Sequence, residues 1–189
     1  MDNLIRIYDN VIPFDVCDSL IEKFEQNQSQ HEVQHSSAYD FTQIDFALNF
    51  KEWGPEMQLL LNLLFPCVEK YKKEISPIWP TKYGFESPRM KKYLPNGTDE
   101  FRTHVDINDD KNSVRFLVFF VYLCDNEGGQ TIINPIGGEE VNSPCKKGSV
   151  LMFPPMWTHP HSGKKPIDKP KYIVGSYLHY VGQNLKTGV

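Results

Sequence analysis

The chain has 189 residues, enough for one well-buried domain and short for two. A hydrophobic fraction of 40% with 13% aromatics excludes a disordered chain, and a formal charge of -4 with a pI near 5.9 disfavours a nucleic-acid partner, which needs clustered positive charge. The N-terminus has no basic region followed by an apolar run, and the longest apolar stretch, Phe116 to Cys124, is about half of what a membrane-spanning helix needs. The expectation is therefore a soluble, cytoplasmic protein without a membrane partner. Cys17, Cys67, Cys124 and Cys145 form no C-x-x-C pair, so they are expected to be reduced, packed thiols and not a zinc site.

No internal repeat, low-complexity tract or linker interrupts the chain, which reads as a single domain over 1-189. Residues 1-84 form a helical support region and 85-180 a β-rich core. Leu4 to Tyr8 reads as a short strand and Asp9-Asn10 as a turn. A helix opens at Pro13-Phe14-Asp15 with Asp15 as its N-cap, and Val16, Leu20, Ile21 and Phe24 recur at helical spacing. Residues 27 to 52 are polar and irregular and read as a long surface loop able to serve as a lid. Gly54-Pro55 starts a second helix whose buried stripe is Met57, Leu60, Leu61, Leu64, Val68 and Tyr71; Pro66 is expected to kink or split it.

From Arg89 the period changes to that of strands: Met90 to Leu94, Phe101 to Asp106, Val114 to Leu123, Gln130 to Ile133, Ser149 to Phe153 and Tyr172 to Tyr180. Strands of this spacing suggest a sandwich or jelly roll with the helices packed on the outer face of one sheet. That leaves the inside of the β-sandwich to hold a site.

In Thr103-His104-Val105-Asp106, residues two apart on a strand share a face, so His104 and Asp106 aim together. Alone, this is as well read as a surface histidine beside an acidic loop. Further on, Trp157-Thr-His159-Pro-His161-Ser-Gly163 supplies two more histidines at the end of a strand. Two histidines and one carboxylate make the facial triad of non-haem iron(II) oxygenases, whereas zinc favours a tetrahedral set. From spacing alone, either His159 or His161 can complete it. Lys171 stands where the last strand begins. It is either a solvated edge lysine or a cation brought back beside the metal to anchor a dicarboxylate.

The order His104-x-Asp106, Gly128-Gly-Gln-Thr131, Lys147-Gly-Ser-Val-Leu-Met-Phe153, His161-x-Gly163, Lys171-Tyr172 resembles the prolyl 4-hydroxylase-like Fe(II)/2-oxoglutarate-dependent dioxygenases. The resemblance covers roughly residues 85 to 180, and Tyr8 to Asp18 is loosely similar to the family's opening strand and helix. It implies an α+β, mainly β fold: a double-stranded β-helix (jelly roll, cupin-like) with flanking N-terminal helices. It further implies Fe(II), 2-oxoglutarate as co-substrate, dioxygen, and ascorbate as an accessory reductant.

Carried over by position, His104, Asp106 and His161 match the iron ligands and Lys171 the residue that binds the distal carboxylate of 2-oxoglutarate. His161 is preferred to His159 because relatives place a glycine two residues after this ligand and the lysine about ten after it. Tyr93, Tyr122 and Thr131 match co-substrate pocket positions, although Tyr122 reads equally as a core aromatic. Arg115 either faces the substrate or pairs with a nearby acid. The chain departs from many relatives in having Tyr177 or a neighbour where they carry a late tryptophan. The implied reaction is hydroxylation of an unactivated C–H bond, with a prolyl residue of a peptide or protein as first choice of substrate. The alternatives are a small molecule or other amino acid under the same chemistry, and a non-catalytic cupin-like metal-binding module.

Overall fold

In the computed structural model, residues 4–75 and 78–182 are described. Helix α1 (Phe14–Gln26) and the 26-residue α2 (Phe50–Ile75) accompany twelve strands. These are β1 (Arg6–Tyr8), β2 (Glu32–His35), β3 (Tyr39–Asp45), β4 (Tyr83–Phe85), β5 (Arg89–Tyr93) and β6 (Glu100–His104), followed by β7 (Arg115–Tyr122), β8 (Asn126–Ile133), β9 (Val141–Cys145), β10 (Val150–Phe153), β11 (His161–Gly163) and β12 (Lys171–Tyr180). All pairings are antiparallel, in the order β1-β10-β7-β12-β5-β3-β6-β11-β8-β9, with β2 added to β3 and β4 to β12. The sheet rolls into a nearly closed barrel, the double-stranded β-helix expected from the sequence. Neither described helix is long and apolar enough to cross a membrane.

Strand periodicity sorts the core into two compartments. On β7, Leu117, Phe119 and Val121 point outward with Val150, Met152, Val174 and Leu178, and bury Leu20, Phe24, Trp53, Leu60, Leu64 and Val68 of the helices. The alternate residues Val118, Phe120 and Tyr122 point inward with Leu151, Phe153 and Ile173 to form the barrel interior. The helices thus plaster one face of the sheet and leave the other to line a cavity.

Four expectations need correction. Asp15 is not the N-cap of α1: Pro13 holds that place and its carbonyl accepts the Cys17 amide at 3.1 Å. Asp15 sits in the first turn, where its charge complements the helix dipole. Residues 27 to 52 are not a loop. They carry a 3-10 turn at Gln28–Gln30, the β2–β3 hairpin and the start of α2 at Phe50, and β3 bridges β5 to β6. Phe41 faces the interior and Ile44 the helices; with both faces covered and polar Thr42 and Gln43 between them, no alternation shows in the sequence. Helix α2 opens four residues before Gly54 and runs through Pro66 without a break. Pro66 lies on the exposed face, where solvent can serve the carbonyl left by its missing N–H. Finally, β6 ends at His104, short of Asp106.

Candidate metal centre

His104 closes β6 and His161 opens β11, and the register pairs them directly across the two strands. Their ring centroids lie 4.3 Å apart. Asp106 follows two residues past the strand end, where its amide donates to the Pro155 carbonyl at 3.0 Å. That bond turns the carboxylate back toward the histidines: Asp106 Oδ1 lies 3.5 Å from His104 Nε2, and Oδ2 lies 3.4 Å from His161 Nε2. Ligand atoms of the three residues all fall within 4.8 Å of one another, and His159 is not among them.

The imidazoles are held ready for this. His104 Nδ1 lies 2.7 Å from the Arg102 carbonyl, and His161 Nδ1 lies 3.1 Å from the His159 carbonyl. Since a carbonyl only accepts, each Nδ1 donates, which leaves each Nε2 as the atom turned toward Asp106 and the cavity. Phe101 stacks flat on His104 (centroids 3.6 Å, 7°), and Phe153 meets His161 edge-on at 4.8 Å. Burial pushes the His161 imidazole down to about 4, with Asp106 opposing and His104 adding to the shift, so the ring is neutral at physiological pH. Burial works against ionisation of Asp106, yet the His104 hydrogen bond and the charges of His161, His104 and Lys91 hold its carboxyl below the usual range. A neutral His161 imidazole and an ionised Asp106 are protonation states that a divalent metal requires of its ligands.

The same cavity, about 360 Å³ counted out to its mouth, runs inward past Tyr93 and Thr131 to Lys171. Lys171 is fully buried; burial lowers its pKa, with the Cys145 and Cys124 thiols opposing. Its ammonium lies 5.1 Å from the Tyr93 ring, directly across the β12–β5 pair. Tyr122 stands behind the wall: its hydroxyl reaches Thr131 Oγ1 at 2.7 Å and Ser143 Oγ at 3.2 Å. Among the described residues, the buried polar side-chain atoms without a hydrogen-bond partner include Asp106 Oδ2, His161 Nε2 and Lys171 Nζ. Each such atom costs about 1–3 kcal/mol unless a ligand meets it. A cation bound by the triad would meet the first two, and an anion reaching inward would meet the third, so the donor set fits iron(II) with a dicarboxylate.

The sequence model of the 2OG-Fe(II) oxygenase superfamily matches residues 88–179, a span that contains the triad, the cavity wall and Lys171. The chain belongs to that superfamily. Fe(II) and 2-oxoglutarate are accordingly its cofactor and co-substrate, and His104, Asp106 and His161 could hold the iron.

This oxygenase shares its fold with solved structures at low identity. The viral collagen prolyl hydroxylase of Paramecium bursaria Chlorella virus-1, in a 2OG complex, is 19% identical at a TM-score of 0.65, covering 95% of this chain and 98% of that one. A Trichoplax adhaerens prolyl hydroxylase, in complex with a hypoxia-inducible-factor peptide fragment, is 15% identical at 0.72, covering 95% and 84%. The alpha-ketoglutarate-dependent epimerase SnoN from nogalamycin biosynthesis is 13% identical at 0.67, covering 99% and 87%. Among curated proteins, none matches the chain.

Arg115 does not face the cavity of the oxygenase. It makes a two-pronged pair with Glu86 at 2.7 and 2.8 Å and lies 3.9 Å over the Tyr177 ring. Tyr177 itself lines the cavity, and burial together with the nearby Asp106 charge holds its phenol well above the ordinary value. The sequence reading missed Lys91, which lines the same cavity. It lies two residues before Tyr93 on β5 and so shares its face, a signal the strand assignment already contained.

The double glycine has a steric cause. A Cβ on Gly128 would come within 2.4 Å of Ile167 Cγ1 and 2.7 Å of the Lys165 carbonyl, and one on Gly129 within 2.7 Å of Lys171 Cδ. Asn126 Oδ1 accepts both glycine amides at 3.0 Å and fixes the approach. Gly129→Ala is expected to push the Lys171 stem off its course and raise KM for 2-oxoglutarate by about tenfold to a hundredfold. Iron affinity should hold, as checked by parallel iron and co-substrate titrations.

Proposed function

We propose that this protein is an Fe(II)- and 2-oxoglutarate-dependent dioxygenase that hydroxylates an unactivated C–H bond of a prolyl residue in a peptide or protein. The observation that carries the reading is the pairing, in one cavity, of the triad with a fully buried lysine that no group among the described residues neutralises. A purely structural metal site has no use for such a cation. When bound, iron with 2-oxoglutarate and dioxygen supplies an oxidant able to take hydrogen from carbon, with succinate and carbon dioxide as co-products.

The residues have separate tasks in this reading. His104, Asp106 and His161 hold the metal by one face and leave the rest of its sphere to co-substrate and dioxygen. Lys171 Nζ binds the distal carboxylate of 2-oxoglutarate as a point charge in a dry site, where such a contact is strongest. Tyr93 forms the wall beside it, and Thr131, fixed by the Tyr122 hydroxyl, forms the opposite polar wall. Phe101, Phe120 and Phe153 keep water from the histidines. A prolyl substrate is supported by the prolyl hydroxylases among the similar structures. A cytoplasmic setting is in keeping with four free cysteines.

Anaerobic addition of Fe(II) and 2-oxoglutarate should give a weak visible charge-transfer band. Under air, proline-rich peptides should stimulate succinate release. Folded protein that shows neither the band nor succinate overturns the reading; succinate stimulated only by small metabolites overturns the peptide substrate.

A further inference from the structure

Strand β5 carries three basic residues around Met90, namely Arg89, Lys91 and Lys92, and all but one are paired with a carboxylate. Arg89 pairs with Asp45 at 2.9 Å, and Lys92, on the helix side, with Glu25 at 2.7 Å. Lys91 points into the cavity and, among the described residues, has no carboxylate within ion-pair distance. Its ammonium instead sits 4.6 Å from the Phe41 ring and 5.1 Å from the Phe101 ring. Cation–π contacts of this kind return about 0.5–2 kcal/mol, less than burying a charge costs. Burial lowers the Lys91 pKa to about 8, and Arg89, Lys171 and Arg115 add to the shift while Asp106 opposes it.

The charge balance of the loaded site shows what Lys91 is for. Asp106 cancels one charge of iron(II), and the 2-oxoglutarate dianion cancels one more there and that of Lys171. Arg115 is spent on Glu86. Lys91 is then left, among the described residues, as a partly buried cation with no counter-ion, in the same cavity as the triad. The wall around it is aromatic: Tyr39, Phe41 and Phe101 lie with centroids 5.1 to 5.8 Å apart. A cation set in an aromatic wall recognises a compact apolar group that carries a carboxylate.

We infer that Lys91 binds a carboxylate of the prime substrate, so that the prolyl residue presents its own free carboxylate, as a C-terminal proline or free proline does. This rests on the dioxygenase reading above. The co-substrate is the other possible source of a carboxylate, and the test separates the two.

Three probes suffice: a short peptide ending in proline as the free acid, the same peptide as the C-terminal amide, and free L-proline. Binding to the Fe(II)/2-oxoglutarate-loaded protein is measured anaerobically by calorimetry, and succinate release is measured under air. The acid should bind about tenfold to a hundredfold tighter than the amide, the range for a charge-assisted hydrogen bond. Lys91→Met should bring that ratio near unity, and Lys91→Arg should restore most of it. A wild-type protein that turns over 2-oxoglutarate with both peptides but shows no acid preference overturns the inference alone. So does a Lys91→Met variant that keeps the preference while its KM for 2-oxoglutarate rises, which would assign Lys91 to the co-substrate. Absence of both the charge-transfer band and succinate in wild-type protein overturns the dioxygenase reading beneath it.

Discussion

Asp106→Ala and His161→Ala are each expected to lower iron(II) affinity by at least about a hundredfold and to abolish succinate formation, while His159→Ala costs at most about tenfold. The contrast follows from the geometry. Asp106 places one oxygen toward each histidine, at 3.5 and 3.4 Å, so it cannot be removed without opening both sides of the cluster. His161 contributes its Nε2 from a ring fixed between Phe153 and the His159 carbonyl. His159 is also buried, but its Nδ1 is engaged with Thr158 Oγ1 at 2.7 Å, and what it gives to His161 is a backbone carbonyl that alanine retains. Iron titration followed by calorimetry under nitrogen reads the affinities, and urea unfolding of the apo variants separates lost ligation from lost fold. If His159→Ala abolished binding and His161→Ala left it intact, the assignment of the third ligand would be wrong.

Lys171→Met is expected to raise KM for 2-oxoglutarate by about a hundredfold or more and at the same time to make the metal-free protein more stable by about 1–3 kcal/mol. Both effects have one origin. A fully buried ammonium with no hydrogen-bond partner is a cost to the folded chain, carried until a carboxylate meets it. Methionine follows much the same path past Gly129 without the charge. The urea midpoint of the apo variant should therefore lie above that of wild type. With iron present throughout, added 2-oxoglutarate should raise the wild-type midpoint and add little to that of Lys171→Met. A variant that is destabilised and binds 2-oxoglutarate normally would show that Lys171 serves packing alone.

The strands that form the walls of this cavity were legible wherever one face meets the helices and the other the interior. Val114 to Leu123 and Tyr172 to Tyr180 are mostly apolar for that reason, and the structure gives Arg115–Tyr122 and Lys171–Tyr180. The hairpin of Glu32–His35 and Tyr39–Asp45 was not legible, because polar Thr42 and Gln43 occupy a strand whose partners cover both sides. Strand Val141–Cys145 escaped notice because Asn142, Ser143 and Pro144 read as a turn, whereas Ser143 is buried beneath the Tyr122 hydroxyl. Of the site, His104, Asp106 and Lys171 were marked by motif and order. Lys91 was passed over although it shares a strand face with Tyr93, since a lysine on a strand is ordinarily read as solvent-facing.

By itself the sequence determined the chemistry of the donors: two histidines and a carboxylate in the right order, a lysine after them, and glycines where a backbone must pass close. Residue types and spacing along the chain suffice for that, because they fix which atoms can bind a metal or an anion. Spacing alone left His159 and His161 open and the family resemblance preferred His161; the tertiary structure supplies the physical reason, the β6–β11 register that sets His161 opposite His104. The same holds for Lys171, left without a hydrogen-bond partner among the described residues, and for Lys91, set against Phe41 and Phe101: both depend on what every other strand brings to the inside of the barrel.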